Sequence, residues 1–131
     1  MKYPYNRQTT PPIPVIEVFL SLPGESQKVG PLPGFIDTGA DGTLIPASYL
    51  EQIHAAFVDE AMLRSQWGEW RPAVLYLLDI EVGGQTLPGI YVVGDELGDE
   101  IILGRNILNR LRLLLDGPAA MTQLLTTGKV K

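Results

Sequence analysis

Gly34-Phe35-Ile36-Asp37-Thr38-Gly39-Ala40-Asp41-Gly42-Thr43 is the stretch whose reading decides the fold. An apolar approach, Gly34-Phe35-Ile36, runs into Asp37-Thr38-Gly39-Ala40, and the polar Asp41-Gly42-Thr43 leads out. Asp and Gly are turn formers, so the pattern places one carboxylate in a turn at the end of a buried strand. Further along, Ile101-Ile102-Leu103-Gly104-Arg105-Asn106 forms a second apolar run that breaks at glycine and passes into a short helix.

Outward from these two segments the chain reads as mainly β with one or two short helices. Pro4, Pro11, Pro12 and Pro14 remove backbone donors from residues 1–14, which are expected as an N-terminal arm or edge segment. Val15 to Leu22 reads as a strand closed by Pro23-Gly24, and Lys28 to Ile36 as its return, confined by Pro31 and Pro33 to an edge or a bulged path. Thr43-Leu44-Ile45 is a short strand, and Pro46 opens a helix to His54 with Leu50, Ile53 and Phe57 toward the core at helical spacing. Met62 to Gln66 and Arg71 to Leu78 flank Trp67-Gly68-Glu69-Trp70 as a hairpin with glycine near its tip. Asp79 to Val82 is read as a further strand, turned by Gly83-Gly84 into Thr86 to Val93. Asn106 to Arg110 is expected as a helix with Ile107, Leu108 and Leu111 inward. Leu113-Leu114-Leu115 then turns at Asp116-Gly117-Pro118 to pair with Met121 to Leu125. Residues 15–125 thus form one domain, and 126–131 a flexible tail.

Composition narrows the function classes. At 131 residues the chain fits one domain that buries roughly two-thirds of its unfolded surface. It holds no Cys and a single His, which excludes disulfides and thiolate metal sites and argues against zinc. Fifteen acidic against ten basic residues give a net charge of −5, and Arg105, Arg110 and Arg112 are interleaved with apolar positions rather than clustered. Nucleic acid is therefore not an expected partner. Met1-Lys2-Tyr3-Pro4-Tyr5 is no apolar leader, and no run is long enough to span a bilayer, so the expectation is a soluble, cytoplasmic protein without membrane contact. There is no Gly-x-Ser-x-Gly elbow for a serine hydrolase, and Gly39-Ala40-Asp41-Gly42 lacks the lysine of a phosphate loop. His54 is read as a surface or half-buried residue without chemistry.

The two segments together resemble the aspartic proteases of the retroviral type, the retropepsins. The resemblance runs from about Val15 to Leu115 and implies a closed-barrel-like acid protease fold of the single-lobe type. It implies Asp37 as the catalytic carboxylate, with Thr38 and Gly39 completing the catalytic turn: the Thr38 hydroxyl meets backbone of a second subunit, and Gly39 admits substrate and water. Ala40 and Asp41 match positions lining the substrate channel. Arg105 matches a basic residue that pairs with Asp41 in a structural, buried ion pair. Trp67, Gly68 and Trp70 fall where the family carries a flap over bound peptide, and Ile102 where it lines a specificity pocket. The loop Gly94 to Glu100 falls at another channel wall, where Asp95, Glu96, Asp99 and Glu100 would favour a basic substrate residue.

Peptide hydrolysis by carboxylates needs two that share a proton, one acting as base toward water and one as acid toward the carbonyl. One Asp37 is insufficient, and the chain is too short for two lobes. The simplest complete site is a homodimer in which each subunit donates Asp37. The expected activity is that of an aspartic endopeptidase on a peptide or protein substrate, with no metal or organic cofactor. The alternative is an inactive or latent homodimer that serves as a peptide-binding or assembly module, motivated by the Trp-Gly-Glu-Trp tip and the proline-rich approach to Asp37.

Overall fold

The computed structural model describes residues 1–64 and 67–125. In chain order the elements are β1 (Lys2–Pro4), β2 (Val15–Ser21), β3 (Val29–Ile36), β4 (Thr43–Pro46), α1 (Ala47–Gln52) and β5 (Phe57–Arg64). There follow β6 (Trp70–Val82), β7 (Gln85–Asp95), β8 (Ile101–Leu103), α2 (Arg105–Leu108), β9 (Arg112–Asp116) and β10 (Met121–Leu125). The expected tail, 126–131, lies outside the described residues, as do 65 and 66 of the expected hairpin.

Hydrophobic alternation builds a closed barrel. Ile16, Val18 and Leu20 of β2 are fully buried while Glu17 between them is exposed, the two-residue period of a strand with one face on a core. Leu78 and Ile80 of β6, Leu87 and Val92 of β7, and Ile101 and Leu103 of β8 complete the interior, capped by Ile45, Leu50 and Ile107. The strands run in the order β2-β3-β8-β4-β7-β6, and the far half of β6 pairs back onto β2, with Val18 opposite Val82 and Ser21 opposite Asp79. This closes a six-stranded ring of the single-lobe acid protease kind. Strand β5 hangs outside it on the first half of β6. Among the described residues no helix is long and apolar enough to cross a membrane.

The prolines of β3 sit where their missing donors do least harm. Gly34 and Phe35 pair on both sides, with β2 and with β8, whereas Pro31 and Pro33 lie in the part of β3 that β8 does not reach. The β2–β3 register shifts between Val18 and Leu20, so the bulged path expected from these prolines is present.

Three local readings need correction. Phe57 does not face the core: it is 61% exposed at the start of β5. The helix ends before it, because His54 takes a left-handed φ of 58° and the chain turns away. Asp79 does not start a new strand, since β6 runs unbroken from Trp70 to Val82 with its register shift against β7 between Leu78 and Ile80. The Asp79 carboxylate accepts the N–H groups of Gly24 and Gly89, each at 2.9 Å, which explains a carboxylate in mid-strand. The second helix spans Arg105–Leu108 rather than 106–110.

A separate three-stranded sheet, β1-β10-β9, is built from both ends of the described chain. The expected arm contributes β1 to it, with Tyr3 opposite Thr122 and its ring buried. Burial, reinforced by the Glu17 carboxylate, raises the Tyr3 phenol above its ordinary 10.0. The neutral phenol is thus favoured in the fold, so its contribution is complete below pH 10.0 and is lost as the pH climbs through the folded value. Urea unfolding from neutral to strongly alkaline pH should show the native chain losing stability more steeply from pH 10.0 upward than Tyr3→Phe. Parallel curves would refute the assignment.

Candidate active site

Asp37 is the first residue beyond β3, and its turn is fixed by backbone bonds on both sides. The Asp37 N–H donates to Leu103 O at 3.1 Å, and the Ala40 N–H donates to Asp37 O at 3.2 Å. The Asp37 carboxylate accepts the Gly39 N–H at 2.9 Å through Oδ1, so one oxygen is oriented by the turn itself. A Cβ on Gly39 would stand 3.2 Å from that same oxygen, a tight approach that a glycine avoids. Asp37, Thr38 and Gly39 are all exposed, and the turn presents its carboxylate outward.

Strand β8 enters between the two strands that flank this turn. It pairs parallel with β3, Ile102 opposite Phe35, and antiparallel with β4, Ile102 opposite Leu44. Ile102 therefore lies beside the strand that ends at Asp37, and it is not among the residues that line the cleft beneath the β5–β6 hairpin. At the end of β8 the backbones come so close that a Cβ on Gly104 would fall 2.1 Å from Gly42 O. The first N–H groups of α2 then bond the turn: Arg105 N–H donates to Ala40 O at 2.8 Å and Asn106 N–H to Asp41 O at 3.3 Å.

Asp41 and Arg105 form the expected ion pair, Arg105 Nη2 to Asp41 Oδ1. A second guanidinium nitrogen, Nη1, donates to Thr38 O at 2.7 Å, so one side chain holds both ends of the turn. The pair is not buried as expected: in the single chain the Asp41 side chain is 92% exposed and that of Arg105 42%.

Sequence reasoning missed a hydrogen-bond network behind the turn, centred on a buried threonine. Thr43, fully buried, accepts the Gly104 N–H at 3.1 Å and donates its hydroxyl to Asn106 Oδ1 at 2.8 Å. Asn106 Nδ2 in turn donates to Tyr91 O of β7 at 2.9 Å. These bonds tie β4, the end of β8, α2 and β7 into one unit. The available signals were a threonine opening the apolar strand Thr43-Leu44-Ile45 and an asparagine just after the Gly104 break.

The candidate flap residues lie at the β5–β6 tip. Gly68 has a positive φ of 84°, which accounts for glycine at the bend. Trp67 is 81% and Trp70 61% exposed, so neither indole is a buried anchor of the sheet. The Arg64 guanidinium lies 6.0 Å over the Trp70 ring. Below the tip, a cleft of 460 Å³ runs between the hairpin, Leu44 and Ala47, and the end of β7. Glu60, Asp95 and Glu96 line it against one cation, Arg71, whereas Asp99 and Glu100 of the expected wall do not. Asp95 Oδ1 is occupied by the N–H groups of Leu97 and Gly98, each at 3.0 Å.

The sequence matches no protein-family model and no curated protein. Solved structures do match. A retropepsin-like aspartic protease from Rickettsia conorii superposes with a TM-score of 0.62 at 15% identity, over 96% of this chain and 92% of that one. The EIAV protease, solved with an inhibitor, gives 0.58 at 18% identity over 82% of this chain and 93% of its own. The Simian Foamy Virus protease gives 0.52 at 20% identity over 72% and 91%. At these identities the likeness is one of fold, and the fold is retropepsin-like.

The Thr43 network sets a stability test. Thr43→Val keeps the shape but leaves the buried Gly104 N–H and Asn106 Oδ1 without this partner, a loss of about 1–3 kcal/mol. Chemical denaturation measures it, and a change near zero would mean that the network does not hold the turn.

Proposed function

We propose that the chain is an aspartic endopeptidase whose working unit is a homodimer. The observation that carries this reading is the Asp37 carboxylate, outward at the end of β3 and oriented by the Gly39 N–H, within a retropepsin-like fold. Two such turns facing across a two-fold axis place two carboxylates together, and carboxylates that close keep one proton between them. The ionised Asp37 takes a proton from water as the oxygen attacks the scissile carbonyl carbon. The protonated Asp37 gives its proton to the carbonyl oxygen. The resulting tetrahedral diol collapses as the newly protonated Asp37 gives its proton to the leaving nitrogen and the newly ionised one takes a proton from a diol hydroxyl, re-forming the C=O bond and breaking the C–N bond.

The other residues are assigned around this step. Thr38 locks one turn against the other, Gly39 keeps the approach to the carboxylates open, and Ala40 and Asp41 line the channel. The Asp41–Arg105 pair braces the turn. The substrate is an extended peptide, added as a strand beneath the Trp67–Gly68–Trp70 tip, with Ile102 in a side-chain pocket. Three carboxylates against one guanidinium in the cleft favour a basic substrate residue.

Purified protein and Asp37→Asn, at matched concentrations against a diverse peptide library from acid to neutral pH, test the reading. The expected result is cleavage by the native chain that falls by about a thousandfold or more in the variant, with fold and assembly retained. Equal cleavage by both would remove Asp37 from the chemistry. Tight peptide binding without cleavage by the native chain would favour a binding or assembly module.

A further inference from the structure

The hairpin that stands outside the barrel has an open edge. Strand β5 has β6 on one side and, among the described residues, no strand on the other. Phe57, Val58 and Met62 along it are 61%, 49% and 56% exposed. Natural edges of this kind are guarded by lysine, proline or a covering segment, which turn a second strand away. Strand β5 instead carries an acid and a base, Glu60 and Arg64, placed symmetrically about Met62.

Two observations fix which backbone groups face out. Met62 lies opposite Pro72 of β6, which has no N–H to give, so the two form a pair without ladder bonds. The Glu60 N–H donates to the Asp59 carboxylate at 2.8 Å rather than to β6. Ladder bonds alternate, so Ala61 and Leu63 bond to their partners Ala73 and Arg71, and the N–H and C=O groups of Glu60, Met62 and Arg64 lie on the open edge. The side chains of these three share one face. On that face Trp70 is the cross-strand partner of Arg64, whose guanidinium stands 6.0 Å over its ring.

We propose that β5 pairs antiparallel with β5 of a second copy about a two-fold axis at Met62, joining two hairpins into one sheet of four strands. Met62 exchanges both backbone bonds with the partner's Met62. Glu60 does the same with the partner's Arg64, whose C=O takes over the N–H that the Asp59 carboxylate holds in the single chain. On one face Glu60 stands opposite the partner's Arg64 and Arg64 opposite the partner's Glu60, while on the other Ala61 meets the partner's Leu63. A register moved one step either way sets Met62 against a charge and breaks both ion pairs. The occupant is a second copy because the edge is complementary to itself read backwards, acid to base and apolar to apolar. This interface goes beyond the pairing of two Asp37 turns and uses none of their residues. With both two-folds occupied the assembly exceeds a dimer, closing as a tetramer if the axes cross at right angles and extending as a chain if they do not.

The chain has no cysteine, so one introduced thiol reports the contact. Bonded pairs in an antiparallel ladder have Cα atoms about 5.5 Å apart, within disulfide range. Met62→Cys should form a covalent dimer under mild oxidation about tenfold or more faster than Ser48→Cys, at an exposed position of α1. In the Met62→Cys chain, Glu60→Arg or Arg64→Glu alone sets like charges opposite each other at both ends of the ladder and should slow cross-linking about tenfold. The two together exchange the charges and should restore the rate. Cross-linking no faster than that of Ser48→Cys overturns the interface. Fast cross-linking that the single charge changes leave untouched, or that the double change fails to restore, means that the hairpins do not meet in this register and overturns it as well. Neither readout involves cleavage, so these failures leave the Asp37 reading to its own test. Rapid, charge-sensitive cross-linking of a chain that cleaves nothing supports the interface and removes the proteolytic reading alone.

Discussion

Everything at the site depends on one backbone crossing. Strand β8 passes between β3 and β4, and at its end Gly104 approaches Gly42 so closely that no side chain fits. Because the contact is backbone against backbone, rotamer changes cannot relieve it, and the relative position of the Asp37 turn and α2 is set within a narrow range. The consequences run outward. Leu103 O reaches the Asp37 N–H, Arg105 and Asn106 N–H groups reach the far side of the turn, and Thr43 is buried where its hydroxyl accepts the Gly104 N–H. A carboxylate on an ordinary surface loop would sample many directions. Here the backbone that carries it is held by bonds to β8 and α2 and the carboxylate itself by the Gly39 N–H, the preorganisation that catalysis requires of a group that must meet a reacting atom in one geometry.

The Arg105–Asp41 pair illustrates how an interaction can be positioned before it is strong. At the exposures observed, water screens the pair and it adds little to the stability of the single chain. Its geometry still matters, because the same guanidinium bonds Thr38 O and Asp41 from one side chain. If a second subunit excludes water from this surface, the same pair acts in a lower dielectric and its attraction grows, without any side chain having to move. The expectation of a buried pair is not met in the single chain, which supplies the geometry alone.

What was legible in the sequence was local. The Asp37 turn, the Gly104 break and the Gly83-Gly84 hairpin each announce themselves through residues adjacent in the chain, and each is where it was expected. Errors arose where a local pattern was carried across a turn or a distant partner intervened. The spacing Leu50, Ile53, Phe57 is helical, but the chain leaves the helix at His54 and Phe57 emerges on an exposed outer strand. Asp79 reads as the start of a further strand, yet it lies within β6, where its carboxylate accepts two N–H groups from Gly24 and Gly89. The pairing of β2 with β6 that closes the barrel, and the link from Thr43 through Asn106 to Tyr91, join residues far apart in sequence and carry no short-range signature.

The two sheets divide the work between them. A closed barrel has no edge to offer, and closure by β6 on β2 leaves only β5 outside it, beside the hairpin assigned to substrate. The terminal sheet does have edges, but they differ. Strand β1 is three residues long and ends in Pro4, too short and too interrupted to template a partner, while β9 has five residues and three leucines. An edge that pairs with itself about a two-fold axis is satisfied by one partner and stops growing, whereas a head-to-tail pairing would leave a free edge at each end and continue.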